Sequence, residues 1–273
     1  MTYKIALAQT SADHQIEKNL SLALTQVQEA ARNGAKLIGF PESFLFLGQS
    51  EAEYLGVAQS MDGPLITNFR ETANRHKISI LIGGFCEKNS ADPTKTFNTS
   101  VLIDASGNIL ASYRKIHLFD VQLGELNLCE SKTVSPGDQL VTCDHELGRF
   151  GLTICYDLRF PNQFQKLREM GAQVIFVPAA FTAQTGRYHW ETLLRARAIE
   201  NQVYICAPAQ TGRHNPKRES FGHSLLIDPW GKVLVDGGLP IGLSYGEIDM
   251  NYLAKVRVQM PVFTHQVKGI DKG

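Results

Sequence analysis

GAKLIGFP, residues 34–41, is a glycine, an alanine, one polar residue, four largely apolar residues and a proline; residues 171–178 repeat that plan as GAQVIFVP. Each copy follows a helical pattern. Ahead of the first, Ile16, Leu20, Ala23, Val27 and Ala31 recur at steps of three and four, which lays an apolar face along one helix. Gly34 then falls at the C′ position, where a left-handed backbone closes a helix. The second copy follows NQFQKLREM and stops at Gly171 in the same way. Helix, glycine, short buried strand, proline is therefore written twice in one chain.

A second echo follows the first in the same order. VLIDASGNIL (101–110) and LLIDPWGKVL (225–234) both read as strand, Asp-x-x-Gly turn, strand. Between the echoes lies another helix and strand in each half: PLITNFRETANRHK with ISILIGGF, and HWETLLRARAIEN with QVYICAPA. Each half opens on a strand, KIALAQ or FGLTIC. The repeating unit is thus strand, helix, strand, helix, strand, hairpin, over 4–113 and again over about 149–236. Apolar runs alternating with helices predict mostly parallel sheets whose faces must be covered. Two such sheets packed face to face, with helices outside, give an α/β fold with four α-β-β-α layers. An ordinary doubly wound α/β domain with chance similarity between its halves is the alternative that the patterns leave open. No Pro- or Gly-rich linker and no low-complexity tract divides the halves, so residues 1–273 are expected to form one domain. Residues 120–148 read as a loop-rich connection with turns at SPGD and HELGR, and PVFTHQVKGIDKG at the end reads as an arm or a loose end.

The totals narrow the function. At 273 residues and 43% hydrophobic, the chain can bury a substantial core. Lys plus Arg equals Asp plus Glu at 27 each, so the formal net charge is zero, which argues against affinity built on a polyanion such as nucleic acid. The longest apolar stretches break well before the roughly 20 residues of a membrane span, and MTYKIALAQT lacks the pattern of an export signal. Five cysteines without a CxxC pair suit reduced thiols in a cytoplasmic compartment. HELGR (145–149) lacks the second histidine of a zinc-protease motif, no GxSxG, GxGxxG or P-loop string occurs, and the eight histidines show no metal-ligand spacing. No metal and no organic cofactor is expected. His117 and His223 read as local hydrogen-bonding residues.

Ligands gather beyond the carboxyl ends of parallel strands, and three residues stand there: Glu42 after KLIGFP, Lys115 after ILASYR and Cys155 after FGLTI. Singly, each has a plain structural explanation, as a helix-start or loop charge, a surface lysine and a small buried hydrophobe. Together they form a chemical set. A thiol attacks as thiolate, an ammonium beside it favours that form, and a carboxylate can take the proton. The same ammonium can hold the oxyanion that forms when sulfur adds to a carbonyl carbon.

GFPES (39–43), YRKIHLFD (113–120) and GLTICYDLRFP (151–161), in this order, resemble the three catalytic motifs of the nitrilase superfamily of carbon–nitrogen hydrolases. The resemblance runs from IALAQ to the MPVF segment at 260–263. It implies the duplicated α-β-β-α sandwich, with Glu42 as general base, Lys115 as oxyanion stabiliser, Cys155 as nucleophile and Glu130 holding Lys115 and substrate in place. It also implies the Tyr156 N–H as a second oxyanion donor. Tyr156-Asp157 stands where nitrile-cleaving members usually carry Trp-Glu, which points to an amidase. CES (129–131), LLRARAIENQVY (193–204) and AQTGRHNPKRESFGHS (209–224) look most like the branch that hydrolyses deaminated glutathione to 2-oxoglutarate and cysteinylglycine. An ω-amidase acting on 2-oxoglutaramate, an N-carbamoyl-amine hydrolase and a catalytically silent interaction module are the alternatives. Arg159, close to the thiol in sequence, is placed to meet a carboxylate of such a substrate, and the resemblance puts Phe181 and Thr185 where the family lines its pocket. Arg159 has structural pairing with Asp157 or a helix carboxylate as its alternative, and the other two have a turn role. Arg213, His214, Lys217 and Arg218 are candidates for the far carboxylate of the peptide, or plain solvated charges. A homodimer is a family expectation; the tail THQVKGIDKG departs from close relatives, and Asp157 receives no role.

Overall fold

The computed structural model describes residues 1–49, 51–123, 126–216 and 218–267. The first half runs through β1 (Thr2–Gln9), α1 (Ile16–Arg32), β2 (Leu37–Gly39), α2 (Glu51–Val57), α3 (Pro64–His76), β3 (Ser79–Lys88), β4 (Thr96–Ile103) and β5 (Ile109–Arg114). A hairpin of β6 (Asp120–Leu123) and β7 (Leu126–Cys129) and a 3-10 turn at Glu130–Lys132 follow. Next come β8 (Val141–His145), β9 (Gly148–Leu152), a 3-10 turn at Cys155–Arg159, α4 (Pro161–Glu169), β10 (Val174–Phe176), α5 (Ala183–Asn201) and β11 (Tyr204–Ala207). The hairpin β12 (Thr211–Asn215) and β13 (Arg218–Phe221) precedes β14 (Leu225–Ile227) and β15 (Val233–Asp236), and β16 (Gly242–Asp249), α6 (Met250–Gln259) and α7 (Val262–His265) close the chain.

The duplicated motif folds as its sequence reads. Gly34 and Gly171 take φ of +79° and +94°, which only glycine adopts without strain, and each turns its helix into a three-residue buried strand, β2 or β10. Two six-stranded sheets result, β16-β1-β2-β3-β4-β5 and β15-β14-β11-β10-β9-β8. Strand for strand they correspond, β1 with β9, β2 with β10, β3 with β11, β4 with β14 and β5 with β15. β16 and β8 are the antiparallel neighbours of β1 and β9.

Period-two alternation decides what lies on each face. Ile5 and Leu7 of β1 join Leu37, Leu81, Leu102 and Tyr113 in one buried cluster with Phe150, Leu152, Val174 and Phe176 of the other sheet. Ala6, Ala8, Ile38, Phe40, Ile80 and Ile82 face the opposite way, onto Ala23 and Val27 of α1 and Ile66 and Phe69 of α3. The second sheet is covered by Phe164 and Leu167 of α4 and Trp190, Leu194 and Ala198 of α5. Burying such side chains contributes about 1.5–3 kcal/mol apiece. The four layers are therefore α-β-β-α.

Three expectations need correction. The sheets are mixed rather than mostly parallel, since only β1-β2-β3 and β9-β10-β11 run parallel. The Asp-x-x-Gly hairpins return antiparallel, as a short connection must. Residues 120–148 hold the β6–β7 hairpin and β8 besides loop, and HELGR is the tight turn of the β8–β9 hairpin. SPGD does not turn; it runs beside β4 and Lys115, Ser135 N–H donating to Thr96 O and Gly137 N–H to Lys115 O, both at 2.8 Å. The tail forms the short α7 as far as His265, and its last six residues lie outside the described ones.

Candidate active site

β2, β5 and β9 all end at the same edge of the sandwich, and just beyond those ends stand Glu42, Lys115 and Cys155, which are 5%, 2% and 8% exposed. Lys115 Nζ donates to Glu42 Oε1 at 2.9 Å and to both carboxylate oxygens of Glu130 at 2.8 and 3.1 Å. Asn98 Nδ2 donates to Glu42 Oε1 at 2.9 Å and to Glu130 Oε1 at 3.3 Å. The remaining oxygen of Glu42 accepts the Ala180 N–H at 2.9 Å, and Glu130 Oε2 accepts the Phe119 N–H at 2.7 Å. Each carboxylate is thereby fixed in direction by groups from both halves or from the connection between them.

Cys155 sits in a strained turn. Extended Ile154 passes straight into the 3-10 turn, and Cys155 takes φ of +47°, a conformation costly for a side chain with Cβ. Its N–H donates to Pro178 O at 2.9 Å, which ties the turn to the segment after β10. Tyr156 follows as the second residue of the turn, where N–H groups lack an intrahelical acceptor.

The electrostatics are those of a neutral thiol beside an ion pair. Burial pushes the Cys155 thiol well above its ordinary range, and the Glu42 carboxylate adds to this against the opposing pull of Lys115. Burial alone would raise Glu42, but the Lys115 charge and hydrogen bonds from Lys115, Ala180 and Cys155 outweigh it and hold Glu42 below the usual carboxylate value. Burial would lower Lys115, and Glu130 and Glu42 reverse that, holding it above the usual lysine value. At neutral pH the trio is carboxylate, ammonium and thiol.

Asp157, without a role in the sequence, proves to be a fully buried junction. Its Oδ2 accepts the Ile154 N–H at 2.8 Å and the Tyr113 hydroxyl at 2.7 Å; its Oδ1 takes the His117 N–H at 3.2 Å and faces His117 Nδ1 at 2.8 Å. Tyr113 and His117 flank Lys115, so one carboxylate ties the cysteine turn to the lysine segment. His117 also stacks on Phe160, with ring centroids 3.5 Å apart.

The cavity over the thiol, about 140 Å³, is lined by Glu42, Lys115, Glu130, Cys155, Tyr54 and Arg218, with Asn98, Phe119 and Leu128 among the rest of its wall. The expected substrate contacts fall elsewhere. Arg159 makes no pair with Asp157; it donates to or faces His189 Nδ1 at 3.2 Å and lies over the Phe181 and Tyr156 rings at 5.1 and 5.9 Å. Phe181 packs on Trp190 at 5.0 Å, and Thr185 bonds Thr182 at 2.7 Å in the first turn of α5. Among the charged group of the β12–β13 hairpin, Arg213 is exposed and His214 bridges Ala12 O and Ser220 Oγ at 2.9 and 2.8 Å. Lys217 lies outside the described residues, and among the described members of this group Arg218 alone lines the cavity with Glu42, Lys115 and Cys155. His223 Nδ1 pairs with Asp236 at 2.9 Å. Asn98, Phe119 and Tyr54 were not found from the sequence, because nothing in a strand's alternation says that one polar residue faces a reactive pocket. Among the described residues no group of three or more His, Cys, Asp or Glu is arranged to hold a metal ion.

A duplicated sandwich that gathers thiol, lysine and paired carboxylates at one edge belongs with the carbon–nitrogen hydrolases. The profile of the carbon-nitrogen hydrolase family matches residues 4–258, and the chain belongs to that family. It is 43% identical over 268 residues to the deaminated glutathione amidase of Synechocystis sp., covering 97% of this chain and 98% of that one. It is 41% identical over 264 residues to the nitrilase and fragile histidine triad fusion protein NitFhit of Caenorhabditis elegans, covering 96% of this chain and 60% of the fusion protein. The crystal structure of NitFhit aligns with a TM-score of 0.92 at 40% identity, over 97% of this chain and 65% of that one. The chain thus spans about three-fifths of the fusion protein. Nit3 of Saccharomyces cerevisiae, a member of branch 10 of the nitrilase superfamily, aligns with a TM-score of 0.87 at 29% identity, over 100% of this chain and 97% of that one.

Proposed function

We propose that the protein is a thiol amidase that hydrolyses deaminated glutathione to 2-oxoglutarate and cysteinylglycine. The observation that carries this reading is the buried contact of Lys115 with Glu42 and Glu130 beside a protonated Cys155. A protonated thiol needs an ionised base at hand, and Glu42 is held ionised. The substrate is taken from the relative in Synechocystis, whose name states it.

In the proposed reaction Glu42 takes the thiol proton as Cys155 Sγ adds to the amide carbon. Lys115 Nζ and the Tyr156 N–H hold the oxyanion. The C–N bond breaks, Glu42 returns the proton to the leaving dipeptide amine, and a thioester to Cys155 remains. Glu42 then takes a proton from water, the hydroxide adds to the thioester carbon, and the carboxylic acid leaves as the thiol is restored. Glu130 keeps Lys115 oriented. Every step uses side chains and one backbone N–H of this chain together with water, with no redox change. We take the protein as a cytoplasmic homodimer, the compartment from its cysteine pattern and the dimer from the family resemblance; among the described residues no helix is long and apolar enough to cross a membrane.

The test is to incubate the purified protein with deaminated glutathione and with 2-oxoglutaramate and measure 2-oxoglutarate, then repeat with Cys155→Ala. Release from the first substrate, abolished by the substitution, is the expected result. Equal or faster release from 2-oxoglutaramate sinks the substrate and favours an ω-amidase. Undiminished release by Cys155→Ala sinks the mechanism.

A further inference from the structure

Lys115 is already engaged by two carboxylates, so the Glu42, Lys115 and Glu130 trio carries one net negative charge. An anionic substrate would meet repulsion there. Arg218, the other cation on the cavity wall, changes that balance. Its Nη1 donates to the Tyr54 hydroxyl at 3.1 Å, and it forms no ion pair among the described residues. The Tyr54 oxygen also accepts the Gly48 N–H at 3.2 Å and donates to nothing among the described residues, so its proton is free for an acceptor in the cavity. Phe46 holds the Tyr54 ring edge-on at 5.3 Å. Leu45, Phe46, Phe85, Phe119 and Leu128 make the surrounding wall apolar, which strengthens a charged hydrogen bond formed inside it. Arg218 also begins β13, the second strand of the hairpin between β11 and β14, where the first half runs β3 and β4 on as an antiparallel pair.

We propose that the Arg218 guanidinium and the Tyr54 hydroxyl form an anion subsite for a carboxylate on the acyl half of the substrate, so that the cavity selects amides whose acyl chain ends in a carboxylate or 2-oxocarboxylate. The choice of the acyl half rests on the thiol-amidase reading, because the group bonded to Cys155 Sγ is the part enclosed with Arg218. The cavity is smaller than the ~300–1,000 Å³ of pockets for drug-sized ligands, and it fits one short chain. The sequence pointed Arg218 at the leaving peptide; its place on the wall above the thiol moves it to the acyl side. The neighbouring cavity shares Arg218 but carries the Glu219 carboxylate, which opposes an anion there.

The experiment compares 2-oxoglutaryl-cysteinylglycine with butyryl-cysteinylglycine, two amides with one leaving group that differ in the acyl carboxylate. Arg218→Gln should lower kcat/KM for the first at least about thirtyfold, mainly through KM, and at least about tenfold more than for the second. Tyr54→Phe should show a smaller loss of the same selectivity, and Arg218→Lys should restore part of it. Equal losses on both amides, or none on either, overturn the subsite. Circular dichroism melts identify a misfolded variant, which is replaced by Arg218→Lys in the comparison. If the wild type cleaves neither amide, the thiol-amidase reading fails, and calorimetry with 2-oxoglutarate decides the subsite alone. Binding at least about tenfold weaker in Arg218→Gln upholds it; equal binding, or none to the wild type, overturns it.

Discussion

Cys155 is held as a thiol by burial and by the Glu42 carboxylate, a combination with a consequence in pH. In the wild type, alkylation of Cys155 by iodoacetamide should rise only above the ordinary thiol range. Glu42→Gln removes the negative charge that holds the proton on while Lys115 stays, so the rise should move down by at least about one pH unit. Turnover should nevertheless fall by ~10²–10⁴-fold, because the proposed general base is gone. An unshifted alkylation profile would contradict the assigned coupling. Turnover itself should persist below the ordinary carboxylate range, since Glu42 titrates lower, and a pH–rate profile reads this directly. Asp157 makes a second residue-scale case. Asp157→Asn places N–H donors among groups that need an acceptor, at a cost of about 1–3 kcal/mol; kcat should fall while KM moves little, because the cysteine turn and lysine segment lose their tie. Glu42, Lys115 and Cys155 were legible because charge and thiol follow apolar runs in motif order, and Glu130 through the family resemblance alone. Asp157, Asn98 and Tyr54 were not, because His117, Glu42 and Arg218, the partners that tie them to the site, lie 40 or more positions away in the chain, and local pattern carries no such pairing.

At the scale of elements, the glycine-ended helices and the strands after them could be read because helix closure and burial leave local marks. The antiparallel edges β8 and β16 could not: strand partners are set by long-range packing, and a short strand such as β8 resembles loop in composition. Close approach of the sheets supplies another element-scale prediction. A Cβ on Gly83 would collide with the Phe40 carbonyl oxygen and lie 2.5 Å from Pro178 Cβ, beside the turn that carries Glu42 and the segment that anchors Cys155. Gly83→Ala should therefore cost about 1–3 kcal/mol or more by overpacking and lower the melting temperature by several degrees, measured by scanning calorimetry. An unchanged melt would show that the strands separate without cost.

The whole molecule is a duplication with one reactive edge rather than two. The first half contributes Glu42 after β2 and Lys115 after β5, and the second contributes Cys155 after β9; where Glu42 stands in one half, the other places Ala179, and the next residue, Ala180, gives its N–H to Glu42. Since the site needs both sheets docked, activity and tryptophan fluorescence should be lost at one urea concentration, and activity outlasting the fluorescence change would contradict that dependence. The duplication was visible in the sequence through paired motifs, whereas the place of Arg218 on the cavity wall was not, because a charged residue in a hairpin carries no local sign of what it faces. The central claim is that Cys155 carries the acyl group. Rapid acid quench of the protein with deaminated glutathione, followed by peptide mass spectrometry, should find a 2-oxoglutaryl adduct on the peptide containing Cys155, absent in Cys155→Ala; 2-oxoglutarate production with no adduct at any quench time, and persisting in Cys155→Ala, would contradict it.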